Sequence, residues 1–249
     1  MKKNLAIVTG SSKGIGKGIV NEFLKDDSWQ VLGTSRSGNK ELKNNPNFTE
    51  IICDLLQPKS IDIIKDQVEE ISEEFDSISF IHNFGMTAYY NVLDTPEEEW
   101  EKIFKANSTI PFQFTKYLSP LMNEGSSHIF IGSTLSTMAV PNAAAYIASK
   151  HALAGLMRAT AVDLAPKGIR ANLVCPGFTE TEMAEKIVHN NAQSCNMDDS
   201  NFKSILESKT PLKRFLTINE IGKLVVFLAN NPTINGEIIH INGGFGLLN

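Results

Sequence analysis

The sequence predicts an α/β fold: a single doubly wound, parallel, seven-stranded sheet in three layers. Seven short apolar runs alternate with helix-forming segments from end to end, and most of them are continuous rather than alternating, as in strands buried on both faces. A glycine-rich turn follows the first run directly and opens the first helix, which makes the pattern Rossmann-like. The strands are expected at Leu5–Thr9, Val31–Ser35, Glu50–Asp54, Ile78–His82, His128–Gly132, Ile169–Cys175 and Glu237–Ile241. Pro58 suits a first helical position. Thr95-Pro96-Glu97-Glu98 and Thr217-Ile218-Asn219-Glu220 read as capping boxes. One helix is expected over Glu97–Met122, and His189–Asn201 reads as a polar, helix-poor stretch, either a solvated loop or a substrate lid.

No linker, repeat or low-complexity tract interrupts the pattern, so 1–249 is expected to be one domain. A chain of 249 residues, 42% hydrophobic and 20% charged, buries a core without disulfides or metal. The net charge of −5 argues against a broad footprint for nucleic acid or an anionic membrane. Cys53, Cys175 and Cys195 lie far apart with no CxxC, and the five histidines form no HExxH, so neither a zinc site nor a disulfide framework is expected. The apolar run at Leu5–Val8 is too short for a signal sequence and no run approaches a membrane span, which predicts a cytoplasmic protein.

Thr9, Gly10, Ser12, Lys13, Gly14, Ile15 and Gly16 belong to the turn TGSSKGIG. Its glycines let backbone N–H groups approach a pyrophosphate, and the helix N-terminus adds partial positive charge. The spacing is GxxxGxG rather than GxGxxG. Arg36 follows the second strand where an acidic residue would grip the ribose of NAD, and arginine there pairs with a 2′-phosphate. With Lys13 as a second cation, NADP(H) is expected. Asp54, followed by Leu55, ends the third strand and either holds the adenine amino group or caps the next helix. Asn83 and Gly85 end the fourth strand, beside a flat ligand or in a simple turn.

Tyr146 and Lys150 lie one turn apart on a strong helix, so a cation faces a phenol. That proximity is expected to lower the phenol's pKa and suit it to proton transfer at a carbonyl oxygen, with Lys150 also in reach of ribose hydroxyls. Ser133 ends the fifth strand, on the ligand side of such a sheet, where its hydroxyl can hold the carbonyl or merely terminate the strand. Pro111 lacks the N–H that would pair the carbonyl of Asn107, four residues earlier. That carbonyl is left for a water, for Lys150, or for solvent at a kink.

These residues resemble the single-domain branch of the short-chain dehydrogenase/reductase family over essentially the whole chain. The resemblance rests on TGSSKGIG, Asp54, Asn83 with Gly85, Asn107, Ser133 placed 13 residues before Tyr146, YIASK, Pro176-Gly177 and Asn242-Gly243-Gly244. It implies hydride transfer between nicotinamide and a carbonyl carbon. Tyr146 is then the acid, Lys150 its pKa-lowering and ribose-binding partner, and Ser133 the group that orients the carbonyl. The main chain of Asn107 holds a relay water. Pro176, Gly177, Thr179 and Thr181 shape the nicotinamide end, and about 181–214 forms the lid. The chain looks most similar to 3-oxoacyl-(acyl-carrier-protein) reductases in KGIRANLVCPGFTETEM, PLKRF and GEIIHINGGFG. It departs from them in His82-Asn83-Phe84-Gly85, which implies a bulkier cofactor wall. Its lid looks about ten residues longer. Glu124 stands where a docking cation is expected, although Lys167 keeps the other.

The expected activity is NADP(H)-dependent interconversion of a ketone and a secondary alcohol, the substrate a small ketone or acyl thioester. The alternatives are a dehydrogenase of sugar, steroid-like or specialised-metabolite alcohols, and a non-catalytic nucleotide sensor; retention of Ser133, Tyr146 and Lys150 together argues against the sensor. The resemblance also implies a homo-oligomer, tetramer or dimer. Phe112, Phe114 and Leu118 on one helix, Ala152, Leu156 and Met157 on the next, and the tail Phe245–Asn249 are its candidate surfaces.

Overall fold

A computed structural model describes residues 3–247. Seven strands form one sheet in the order β3-β2-β1-β4-β5-β6-β7, and every pairing is parallel. They are β1 (Lys3–Thr9), β2 (Trp29–Ser35), β3 (Phe48–Ile52), β4 (Phe75–His82), β5 (Ser127–Ile131), β6 (Arg170–Pro176) and β7 (Ile238–Ile241). Residues of one strand serve opposite cores, which is why the runs look continuous in sequence. Ala6 and Val8 pack with helices α1 (Gly14–Phe23) and α8 (Ile218–Asn230). Leu5 and Ile7 pack with α2 (Lys59–Ile71) and α4 (Ile110–Leu118). The long helix α5 (Ala144–Leu164) covers β5 and β6 through Leu153, Ala154 and Met157.

Buried polar groups fix the edges of this frame. Arg170 donates to the carbonyls of Leu228 (2.9 Å) and Ala229 (2.9 Å), supplying partners to the last turn of α8. Asn172 donates to the Ile234 carbonyl (2.8 Å) and accepts from the Glu237 N–H (3.1 Å), fastening the approach to β7. The strand order reverses between β1 and β4, and the crevice opens at their carboxyl ends.

Several expectations are corrected. The third strand ends at Ile52 rather than Asp54, because its partner β2 ends at Ser35, which pairs with Ile52. The helix expected over Glu97–Met122 is α3 (Glu97–Phe104), a π-helical turn (Lys105–Thr109), α4 and a short 3-10 turn (Ser119–Leu121). Thr95 does not cap α3; its hydroxyl donates to the Asn91 carbonyl (2.6 Å). The Thr217–Glu220 box is present in both directions. The polar stretch is not a loop: α6 (Glu182–Ser194) and α7 (Asp199–Ser208) cross it. Ala184, Val188 and Ala192, one turn apart, form the buried stripe of α6, a period hidden by the asparagines between them. Of the expected oligomer surface, Phe114, Leu118 and Met157 are core residues, because the helical period turns them inward, while Phe112 is 49% exposed. Leu248 and Asn249 lie outside the described residues.

Helices α1 and α8 touch backbone to backbone. A Cβ on Gly222 would stand 2.6 Å from the Gly18 carbonyl oxygen, whereas one on Gly155 in α5 would meet nothing within 4 Å. Gly222→Ala is therefore expected to lower the unfolding free energy by about 1–3 kcal/mol, and Gly155→Ala to raise it by about 1 kcal/mol. Urea unfolding of the two variants checks both signs.

Candidate active site

The site is assembled where the turn after β1 meets the turn after β4. The Thr9 hydroxyl donates to the Ile81 carbonyl (3.2 Å) and accepts from the N–H groups of Asn83 (2.9 Å) and Phe84 (3.0 Å). The Asn83 amide donates back to the carbonyls of Thr9 (2.8 Å) and Gly10 (3.3 Å). Asn83 thus spends its side chain holding the glycine turn. Gly10 has φ +71° and Gly14 φ +55°, and a Cβ on Gly16 would stand 2.1 Å from the Gly10 carbonyl oxygen. Helix α1 starts at Gly14, and Lys13 before it provides no side-chain cap, so the first amides, including those of Ile15 and Gly16, are not capped by a side chain. This cradle fits a dinucleotide pyrophosphate.

At the ribose end of the cradle, Arg36 is exposed. Lys13 is already paired with Glu182 at 2.6 Å. The sequence did not mark Glu50. Its carboxylate accepts from the hydroxyls of Ser11 (2.8 Å) and Ser35 (2.8 Å) and from the Asn39 N–H (2.6 Å), pinning the turn that carries Arg36. Asp54 accepts from the Leu56 N–H (3.1 Å), capping its own turn, and Leu55 is buried at 4% exposure in the core. Phe84, half-buried, packs one side against the Leu5–Ile7 core. His82 lies 3.0 Å from His128 and stacks on Phe130. Burial holds the pKa of both imidazoles far down, that of His128 at about 3.

The catalytic candidates converge across the crevice from this cradle. Ser133 caps a short 3-10 turn, and its Oγ accepts from the Leu135 N–H (3.1 Å), so its hydroxyl proton is turned to the crevice, toward Tyr146. Tyr146 and Lys150 stand on α5, with the Lys150 Nζ 5.7 Å from the Tyr146 ring centroid. Lys150 is 5% exposed and donates to the Ile131 carbonyl (2.9 Å). A Cβ on Gly85 would stand 3.0 Å from Asn107 Oδ1 and 3.6 Å from Lys150 Nζ, which puts all three groups at one point.

The electrostatics differ from the sequence expectation. Burial pushes the Tyr146 pKa up to about 12, against the opposing hydrogen bond from Ser133. Burial also pushes Lys150 down to about 8. Both groups are short of water, so each is held toward its neutral form, and Lys150 turns its ammonium to a carbonyl rather than to the phenol. Cys175, noted in the sequence only for its spacing, lies beneath them. Burial raises its thiol pKa, while bonds with Ser136 and the Ser133 backbone, and the Lys150 charge, lower it.

Asn107 is placed as expected but acts first through its side chain. It accepts from the Met86 N–H (2.8 Å) and donates to the Met86 carbonyl (2.9 Å) and Ser149 Oγ (2.9 Å). The turn around it, four residues before Pro111, is π-helical. On the far wall, Gly177 lies against Asn242, and the Thr134 hydroxyl donates to the Pro176 carbonyl (3.1 Å). Thr179 donates to the Gly177 carbonyl (3.0 Å). Thr181 caps α6, and its methyl would meet a Cβ on Gly14 at 3.4 Å. The lid therefore begins in contact with the glycine turn. A cavity of about 930 Å³ lies between Val92, Trp100, Val140, Ile147 and His151, and none of Ser133, Tyr146 and Lys150 lines it. No helix among the described residues is long and apolar enough to cross a membrane.

Residues 10–246 match the family model described as enoyl-(acyl carrier protein) reductase. The 3-oxoacyl-(acyl-carrier-protein) reductase of Buchnera aphidicola subsp. Baizongia pistaciae is 31% identical over 252 residues, covering 97% of each chain. A short chain dehydrogenase family protein from Francisella tularensis subsp. tularensis SCHU S4 superposes with a TM-score of 0.91 at 29% identity, over 99% of this chain and 100% of the other. The aldohexose dehydrogenase of Thermoplasma acidophilum superposes with a TM-score of 0.87 at 28% identity, over 99% and 95%.

The buried Lys150 charge has a cost with a readable pH window. A fall from 10.5 to about 8 corresponds to about 3 kcal/mol against the charged native state. The Ile131 hydrogen bond offsets about 1 kcal/mol on removal. Lys150→Met is expected to be more stable than wild type by about 2 kcal/mol at pH 7. Between pH 8 and 10.5 the native state holds fewer protons than the unfolded chain, so wild-type stability rises with pH and the gap closes. Denaturant unfolding of both proteins at pH 7 and pH 10 checks this.

Proposed function

The chain belongs to the short-chain dehydrogenase/reductase family and is an oxidoreductase acting on CH–OH or keto groups; from that premise we propose that its cofactor is NADP(H) and its substrate class a 3-oxoacyl thioester or related small ketone. The observation that carries the reading is the convergence of Ser133, Tyr146 and Lys150 with Gly85 beside the glycine cradle. When bound, the nicotinamide supplies the hydride that adds to the carbonyl carbon. Ser133 donates a hydrogen bond to the carbonyl oxygen, keeping its own proton, and orients that oxygen beside Tyr146. Tyr146, neutral throughout the physiological range, gives its proton to that oxygen as the alkoxide develops, the alkoxide being the stronger base. Lys150, protonated below about pH 8, holds positive charge at the crevice floor and binds the ribose hydroxyls. The main chain of Asn107 holds the water that replaces the proton of Tyr146.

Arg36 and Lys13 favour the 2′-phosphate. Glu50 is the acidic group at that end, and three donors already occupy its carboxylate, which leaves it poorly placed to grip a ribose hydroxyl. The thioester reading draws on the name of the Buchnera relative. Glu124 packs against Gly168, next to Lys167, so the surface where a carrier protein is expected to dock is of mixed sign. That favours a thioester taken up without strong carrier docking. A second reading, oxidation of a sugar-like alcohol, is favoured by the hydroxyls of Thr87 and Tyr89 near Tyr146 and by the similarity to the Thermoplasma aldohexose dehydrogenase. The exposed apolar residues Trp100, Phe112 and Tyr117 on α3 and α4 suit a second copy of the chain, and the three separated cysteines suit the reducing cytoplasm.

NADPH oxidation with an acetoacetyl thioester tests the reading. Tyr146→Phe is expected to lower kcat by about 10²–10⁴-fold; turnover at the wild-type rate removes the proposed acid. Arg36→Asp is expected to lower the kcat/KM preference for NADPH over NADH by about tenfold or more, equivalent to about 1.4 kcal/mol, and an unchanged ratio removes the phosphate assignment.

A further inference from the structure

The segment that leaves β4 carries two hydroxyls that take no part in the proton transfer. It is fastened at both ends. Met86 is held through its N–H and its carbonyl by Asn107, and the Tyr90 carbonyl accepts from the Ala144 N–H (3.2 Å), two residues before Tyr146. Thr87 and Tyr89 are thereby strung between the Asn107 turn and the start of α5, along the rim of the catalytic crevice. Beyond them the Asn91 side chain accepts from the N–H groups of Leu93 (2.8 Å) and Asp94 (3.0 Å), which stiffens the exit.

Tyr89 is 43% exposed as a residue, yet its hydroxyl is withdrawn enough that burial raises its pKa above 10, with Thr87 easing the effect. A charge on Tyr89 would oppose ionisation of Tyr146, so the two phenols share one poorly solvated space. The Thr87 hydroxyl oxygen is closed off from solvent and lies against the Tyr89 hydroxyl, whose ionised form it favours, so it orients that group rather than reaching the crevice itself. The Tyr89 hydroxyl is neutral and can both donate and accept. Its complement is a neutral oxygen.

We propose that Tyr89, its hydroxyl oriented by Thr87, forms a second polar subsite of the crevice, which hydrogen-bonds a neutral oxygen carried one or two carbons from the reacting carbon. The inference rests on the ketone–alcohol reading and makes it specific. The substrate bears two oxygen functions close together, one at Tyr146 and one at Tyr89. Two sources share that chemistry: the thioester carbonyl of a 3-oxoacyl compound and the neighbouring hydroxyl of a polyol-type ketone.

The test compares three ketones with NADPH: S-acetoacetyl-N-acetylcysteamine, 3-hydroxy-2-butanone and 2-pentanone, which lacks the second oxygen. Wild type is expected to prefer an oxygenated ketone. Tyr89→Phe is expected to reduce that preference, as a ratio of kcat/KM values to that of 2-pentanone, by about tenfold, mainly through KM. Thr87→Val, which keeps the shape and removes the buried hydroxyl, is expected to move the ratio in the same direction. The oxygenated ketone that suffers identifies the source. A ratio that stays constant in both variants, as a purely structural or interface role would leave it, overturns the subsite. If wild type reduces none of the three, it is the ketone reading that fails. The subsite is then read by calorimetric binding of the same three ligands to Tyr146→Phe protein with NADPH present. Weaker binding of an oxygenated ligand alone on adding Tyr89→Phe supports it, and equal binding overturns it.

Discussion

One hydroxyl holds the two halves of the site together. Thr9, at the end of β1, bonds across to the end of β4 and receives two N–H groups from the turn that follows. Asn83 reciprocates onto the glycine turn. These buried bonds fix the distance between the cradle and the wall carrying Gly85, against which Asn107 and Lys150 are packed. Every other element of the site is hung from one side or the other of that join. The glycines are required there because backbone and amide occupy the space a Cβ would fill.

Across the join, two titratable groups are buried at the expense of stability. Tyr146 and Lys150 are each pushed toward neutrality by loss of water. A core built only for stability would place an apolar pair there. Their retention is intelligible as preorganisation: a proton donor and a cation held in a poorly solvated crevice act on a developing alkoxide more strongly than the same groups in water.

The parts legible in the sequence were those carried by local chemistry. Continuous apolar runs declared a sheet covered on both faces, and the glycine turn, Ser133, Tyr146 and Lys150 lay at the ends of predictable elements. What escaped was set by pairing and by chain path. Glu50 reaches Ser11 and Ser35 only because β3 pairs with β2 in one particular register. Tyr89 comes near Tyr146 because Asn107 and Ala144 pin its segment, and neither bond has a sequence signature. The helices across His189–Asn201 are hidden because polarity masks the four-residue spacing of Ala184, Val188 and Ala192. Thr95 satisfied a capping pattern yet bonds backward to Asn91. The Tyr146 pKa was misjudged because spacing along a helix reports a neighbour's charge but not the dryness of the space they share.

The ion pair between Lys13 and Glu182 joins the phosphate turn to the first residue of the lid helix. A cation cannot serve two anions at full strength. A phosphate that draws on Lys13 takes it from Glu182, so occupancy of the cradle and the position of the lid's first turn are linked in both directions. Both partners are 60% exposed, so water screens the pair. The linkage is therefore a weak bias, equal in the two directions, that tunes each site to the other without gating it.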